Sequence, residues 1–493
     1  MPEKQSTLGR FITGTFSTGL SGTGTIILGF LCIMIYTRWM PKEDFGAFVL
    51  LQLIMSLVVT ASGFGIDFSI SKFIASSEDD EYKRRLINTA VYYRLVTLIM
   101  ASVLVLFFKF VIESFWGASL LSHFLLYLPL LLIIETYASI YGAILTGNLR
   151  FTLVGLANII YSIVSFILTI VFVIMLGQGV MGLIYARIIS RGISLVYSYF
   201  ASHPSHRLEF DWDILKKMLR FGFPLYINSF LNFGFTRADS FIIGGYLGTA
   251  EIAIYEVARK IPDSLEMLYN SFIHVYFPIV SKVHSAGDDQ KVAKLLNYAN
   301  RLLTLGGVIA AFLAFLFCQD IVLFLFSEQY LPSAPIFAVM VFGFVLIMLD
   351  ANLGNTLVAI GESDKPAFIN TARAILSLAG YILLIPAFGV IGAVISNMVS
   401  TAIVNPINVF FLMRKKIRAW IPIYLKPIVL YFIFIQIVWL SGLDDFFWSI
   451  SFILIFIFAN YLLRVFTFDD INVIIKEIKS IVTRFISQPS LNT

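Results

Sequence analysis

Apolar runs recur along nearly the whole chain, separated at short intervals by polar or basic segments. A helix of roughly 20 predominantly apolar residues crosses the hydrocarbon of a bilayer. Fourteen stretches read as such spans: 11–36, 45–71, 91–112, 123–146, 152–176, 183–201, 223–245, 254–280, 302–318, 335–359, 367–385, 393–413, 427–440 and 449–465. The pattern predicts an all-α, polytopic membrane protein of 14 transmembrane helices. Past the last span it changes. Ile471, Ile474, Ile475, Ile478, Ile481, Val482 and Phe485 recur at helical spacing, with Lys476, Glu477, Lys479 and Arg484 between them. That spacing predicts an amphipathic helix on the inner membrane surface.

Composition agrees with the pattern. Of 493 residues, 59% are hydrophobic and 13% charged, against about 25% charged in soluble domains. An ordinary soluble enzyme and a disordered chain are both excluded. The net charge of +5 is too modest to indicate nucleic-acid binding. Cys32 and Cys318 both lie in apolar runs, so neither a disulfide framework nor a thiolate metal site is readable. Lys and Arg set the orientation. With a cytoplasmic N-terminus, 26 of them fall in inside segments and only Arg38 and Lys42 outside. Both termini are therefore expected in the cytoplasm, in a multi-pass protein of the cytoplasmic (inner) membrane. The longest outside loop is read at 319–334, short for a membrane glycan polymerase or ligase.

Two segments repeat. GVMGLIYARIIS (179–190) returns as GVIGAVISNMVS (389–400), 210 residues later; PKEDFGAFVLLQLI (41–54) returns as GTAEIAIYEVARKI (248–261), 207 later. Similar offsets predict two six-span bundles of like orientation, the parallel-repeat arrangement of many transporters. The division is an N-terminal bundle at 1–201, a cytoplasmic linker at 202–222, and a C-terminal bundle at 223–413. Two further helices follow at 414–465 and a cytoplasmic amphipathic tail at 466–493.

Ionisable groups inside apolar spans are costly unless they face water or a partner, so they mark candidate functional positions. Span 8 carries Glu256, Arg259, Lys260, Asp263, Glu266, Asn270 and His274 within one arc of roughly 120°. That stripe lines either a hydrated lumen or an ion-pair ladder of Glu256–Lys260 and Arg259–Asp263, both i,i+4 pairs. In span 7, Asn228, Asn232 and Asp239 share a face, while Arg237 points elsewhere. Arg187 and Arg191 lie one turn apart in span 6, and Arg94 opens span 3, where it could snorkel inward. Asp67, Glu135 and Asp350 stand in spans 2, 4 and 10. Arg187, Arg191, Arg237, Arg259 and Lys260 fall toward the outer half with Asp239 and Glu256, a cation excess suited to a phosphate or pyrophosphate group. Walker A, His-Glu-x-x-His and Gly-x-Ser-x-Gly patterns are absent from the sequence, and His123, His203, His206, His274 and His284 are scattered. No catalytic residues, metal ligands or bound cofactor are expected. Transport driven by a gradient, with Na+ or H+ bound at Asp67, Glu135, Asp239, Glu256 or Asp350, fits these carboxylates.

The stretch 212–261, with Phe-Gly-x-Pro at 221–224, Arg237-x-Asp239 and Tyr255, resembles polysaccharide-exporting flippases of the multidrug/oligosaccharidyl-lipid/polysaccharide exporter superfamily. TRWMPKEDFGAF (37–48) is similar to that family's opening loop and GAILTGNLRF (142–151) to the end of its span 4. Ala253 stands where a Gly is common. The resemblance implies flipping of polyprenyl-pyrophosphate-linked oligosaccharides, of O-antigen or exopolysaccharide type, by two bundles that alternate between inward and outward states. The partners it implies are the lipid-linked substrate, membrane lipids and polysaccharide polymerase or assembly proteins. A cation-coupled drug antiporter and a lipid II flippase are alternatives of the same superfamily, and a membrane glycan polymerase or ligase is one of another class.

Overall fold

The computed structural model describes residues 7–111, 124–204, 207, 209–419, 421–442, 446–463 and 465, with side chains for all of these but 7–21, 235, 421–424 and 446. The expected tail helix at 466–493, His123 and His206 lie outside the described residues. The regular elements among the described residues are helical. They are α1 (Thr7–Trp39), α2 (Lys42–Ala61), α3 (Ile66–Ala75), α4 (Asp80–Phe107), α5 (Leu128–Gly147), α6 (Phe151–Thr169), α7 (Gly179–Ser202) and α8 (Trp212–Leu247). There follow α9 (Thr249–Ser285), α10 (Asp289–Leu316), α11 (Cys318–Leu325), α12 (Ser333–Ala359), α13 (Asp364–Phe388), α14 (Val390–Arg414), α15 (Ile421–Ser441) and α16 (Phe446–Leu462). Ten of the described helices are long and apolar enough to cross a membrane. The expectation of fourteen goes beyond these ten. It also takes in the charged helices α8 and α9 and the shorter apolar stretches Leu425–Ser441 and Phe447–Leu462.

Three local features depart from the sequence pattern. The apolar run 45–71 is two helices, because Phe64 and Gly65 take φ of 46° and 75° between α2 and α3. A left-handed position ends a helix and is costly for residues with a Cβ. The cause is close packing: a Cβ on Gly65 would stand 2.1 Å from the Gly222 carbonyl oxygen, and one on Gly222 would stand 2.5 Å from that of Gly65. Ser69 fixes the crossing by donating to the Met218 carbonyl at 2.7 Å. The Gly of the Phe-Gly-x-Pro motif thus serves a backbone-to-backbone contact. Secondly, residues 212–222 form the first turns of α8, not a loop. Asp211 caps them, accepting from the amides of Asp213 at 2.9 Å and Ile214 at 3.1 Å. Thirdly, the stretch read as the loop 319–334 contains most of α11 and a 3-10 turn at Glu328–Tyr330.

The chain divides into two compact units. The first comprises Met1–Val257, Val322–Leu331 and Tyr381–Val390. In it α1 packs along α6, α7 packs on α5 and α6, and α8 packs on α2, α3 and α4. Its core joins Ile66, Ile70 and Ile74 to Leu86, Ile140, Ile144, Ile214 and Met218. Arg38, at the end of α1, donates to the carbonyls of Phe324 and Phe326, 2.8 Å away in the second case. Ser327 and Gln329 return hydrogen bonds to the Thr37 carbonyl at 2.6 and 2.9 Å. The second unit comprises Ala258–Ile321, Pro332–Gly380 and Ile391–Thr493. There α10 packs on α12, α15 and α16. Val280, Leu296, Leu353, Leu357 and Leu412 form its core, and Phe342 stacks on Tyr431 with centroids 4.7 Å apart. Apolar side chains gain little by leaving lipid, so van der Waals fit and hydrogen bonds between helices hold these contacts.

Candidate functional site

Glu135 on α5 and the pair Arg187 and Arg191 on α7 meet across the packed α5/α7 face. One turn separates the two arginines, so both guanidinium groups reach one carboxylate. Arg191 Nη2 lies 3.2 Å from Glu135 Oε1 and Arg187 Nη2 lies 3.8 Å from Oε2. Arg191 also lies over the Tyr161 ring, 5.3 Å from its centroid. The Nε atoms of both arginines are buried with no hydrogen-bond partner among the described residues. Two guanidinium groups against one carboxylate leave one positive charge between apolar helices.

A second cluster spans the α8–α9 turn. Arg237 Nη1 is 3.8 Å from Glu256 Oε1. Tyr255 donates to Asp239 Oδ2 at 2.6 Å and Ser240 donates to Glu256 at 3.1 Å. Asp239 and Glu256 are both buried. Arg237 and Asp239, only two residues apart, turn to different partners, as their helical angle requires. In the other unit, Arg259 and Asp263 form the expected i,i+4 pair at 3.2 Å. Lys260 is half-buried, while Glu266 and Asn270 further along α9 are exposed, as are Asn228 and Asn232 on α8.

Three more charged positions lie within the helices: Asp67, Arg94 and Asp350. Asp67 on α3 accepts from Ser139 at 3.1 Å. Arg94 does not snorkel: it is fully buried in α4, its Nη atoms 3.4 Å from Ser62 Oγ and 3.5 Å from Thr136 Oγ1. α4 starts at Asp80, so Arg94 lies about four turns inside its helix rather than at the end where a side chain could reach headgroups. Asp350 on α12 meets Arg373 on α13 at 3.2 Å and accepts from Asn408 at 2.8 Å and Asn405 at 3.4 Å, both on α14.

Sequence reasoning singled out the acids and most of the arginines, because charge in an apolar run is visible without a structure. It missed Arg373, Asn405 and Asn408. Arg373 lies inside the run read at 367–385, and that position was its available signal; it is counted there with the inside basic residues. Neutral amides give no such signal. Among the described residues, no group of three or more His, Cys, Asp or Glu is placed to hold a metal ion.

Residues 35–335 match the family model described as "Polysaccharide biosynthesis protein". The chain is 21% identical, over 83% of its length and 83% of the relative's, to the "Probable low-salt glycan biosynthesis flippase Agl15" of Haloferax volcanii. Its fold is similar to that of the solved lipid II flippase MurJ in an inward closed conformation, with a TM-score of 0.70, 17% identity, and 91% of this chain and 99% of that one covered. It is also similar to an inward-facing multidrug resistance MATE family transporter of the MOP superfamily, with a TM-score of 0.62, 18% identity, and 79% and 95% covered.

Proposed function

The chain belongs to the polysaccharide biosynthesis protein family, and we propose that it is a flippase that carries polyprenyl-pyrophosphate-linked oligosaccharide, an O-antigen or exopolysaccharide repeat unit, across the cytoplasmic membrane by alternating access. It is a multi-pass membrane transporter rather than an enzyme. Both termini face the cytoplasm, and a polymerase or assembly protein takes up the flipped product.

One observation carries the choice of cargo: two guanidinium groups share a single carboxylate inside apolar helices. Uncompensated charge there costs several kcal/mol. A bound pyrophosphate supplies the missing negative charge, and Arg matches its paired oxygens. Arg187 and Arg191 hold the diphosphate, while Arg237, Arg259 and Lys260 attract it along its path. Asn228 and Asn232 on α8, and Asp263, Glu266 and Asn270 on α9, are the polar residues assigned to sugar hydroxyls. Glu135 releases the arginines to the substrate and takes Na+ or H+ in exchange; Asp67, Asp239 and Glu256 tune the field. A drug-cation antiporter calls for the opposite sign of charge.

The test is flipping of a defined polyprenyl-pyrophosphate disaccharide in proteoliposomes. R187Q and R191Q are each expected to lower the rate at least tenfold. Wild-type rates in both variants, inserted at normal levels, would remove these residues from the substrate site. A wild-type protein that moves no such lipid would remove the proposed function itself.

A further inference from the structure

α13 and α14 lie antiparallel in register. A Cβ on Gly380 would stand 2.7 Å from Ser396 Oγ, and Ser377 and Ser400 share a 2.6 Å hydrogen bond one turn lower. Small residues therefore bring the two backbones close at one end. The next turn down holds Arg373 opposite Asn405 and Asn408, against Asp350 of α12. Arg373 is nine residues beyond Asp364, about 13–14 Å along the helix axis. That depth is far inside the apolar stretch.

The pair is asymmetric. The Asp350 side chain is 2% exposed and that of Arg373 is 27% exposed. Nη1 of Arg373 is engaged by Asp350 Oδ2. Its Nε–Nη2 edge makes no hydrogen bond with the described residues, and unlike the Nε atoms of Arg94, Arg187 and Arg191 it is not enclosed. An arginine edge cannot open onto hydrocarbon, so this one opens onto water or a ligand. The two amides from α14 complete the acid's hydrogen bonding from behind and fix the direction of the fork.

We propose that Arg373 is an oxyanion-binding residue of the transport path, its free Nε–Nη2 edge receiving two oxygens of a phosphate or carboxylate group of the cargo. Asp350, Asn405 and Asn408 are its positioning residues. The assignment rests on the flippase reading for the identity of the cargo and on geometry alone for the chemistry. It gives Asp350 the task of orienting a cation in place of binding a transported one.

The experiment measures equilibrium binding to the full chain in nanodiscs. Three probes are used: inorganic pyrophosphate, undecaprenyl pyrophosphate carrying a neutral disaccharide, and the same lipid carrying a glucuronate-containing disaccharide. R373Q is expected to weaken binding about tenfold, and R373K nearly as much, because the ammonium keeps the charge but loses the fork. Loss on all three probes assigns the oxyanion to the diphosphate; loss on the glucuronate lipid alone assigns it to an acidic sugar. R373Q leaves Asp350 buried and unpaired, so the double variant D350N/R373Q serves as the neutral, foldable counterpart and is expected to match R373Q on the affected probes. Wild-type affinity of a folded D350N/R373Q for all three probes overturns the proposal. If the wild type binds pyrophosphate but neither lipid, the flippase reading fails while the pyrophosphate arm still scores Arg373.

Discussion

Exposure separates the roles of the ion pairs at the scale of single residues. In Arg237–Glu256 and Arg373–Asp350 the acid is the buried partner and the arginine faces outward. Around Glu135 the order reverses: the carboxylate is 26% exposed and its two arginines 19% and 17%. Glu135 is thus the group that a proton or a solvent cation reaches first. E135Q frees both guanidinium groups from their competitor, so pyrophosphate binding is expected to tighten several-fold while the flipping rate falls at the release step; weaker binding would show that Glu135 supports the arginines rather than competing with substrate. The buried Tyr255–Asp239 hydrogen bond also carries a stability cost that can be read separately from transport. Y255F removes the 2.6 Å donor from a buried carboxylate and is expected to cost about 1.5–3 kcal/mol, read as lower thermal stability in detergent. D239N/Y255F should recover part of that loss, and a full loss in the double variant would deny the coupling. Within α9 the Arg259–Asp263 pair was legible from its i,i+4 spacing, but which acid takes which arginine between helices was not. Helical angles separated Arg237 from Asp239, but the choice of Glu256, like that of Arg373 for Asp350, depends on neighbouring helices.

At the scale of elements, the apolar runs located the helices, since their length and composition carry the signal, but not the polar turns with which α4, α8 and α10 begin at Asp80, Trp212 and Asp289, ahead of the runs read from 91, 223 and 302. The breaks did not show. The run 45–71 contains no proline, and its division at Phe64 and Gly65 follows from the proximity of Gly222, 157 residues away. Any Cβ at Gly65 meets backbone and a left-handed φ together, so G65A is expected to abolish folded protein, whereas G361A, with a left-handed φ but open space around it, should be much milder. Equal expression and melting of the two variants would refute the packing account. The start of α8 depends on pH. The amides of Ile214 and Asp213 and the nearby Arg85 hold the Asp211 carboxyl below its ordinary range, the Ile214 bond first among them. Its stabilisation is therefore complete above the usual carboxylate pKa of about 3.9 and is lost as pH falls through the lower native value. D211A should cost about 1 kcal/mol near neutral pH and nothing further in acid. A stability gap that stayed constant down to the acid limit would contradict the cap.

For the whole molecule, the asymmetry of basic residues makes the clearest prediction. With C32S and C318S as background, a cysteine at Lys42 should react with an impermeant maleimide added outside whole cells, and one at Lys216 only after lysis. The reverse pattern would invert the orientation. The helical, membrane-spanning fold class was open to inspection in the sequence because the bilayer imposes it on every span. How α8 packs was not, because its contacts with α2, α3 and α4 are set by the fit of particular surfaces.

The bridge from Arg38 to the carbonyls of Phe324 and Phe326 has a consequence in time. Its two ends are separated by 288 residues in the case of Phe326. At a synthesis rate of about 5–20 residues per second, the end of α1 waits roughly 15–60 s in the membrane before its partner leaves the ribosome. During that interval Arg38 and the Thr37 carbonyl have only water, lipid headgroups or the insertion machinery to satisfy them. One step in assembling the first unit is then the arrival of a late segment on an early one, and substitutions at Arg38 should slow maturation of the newly made chain more than they destabilise the finished one.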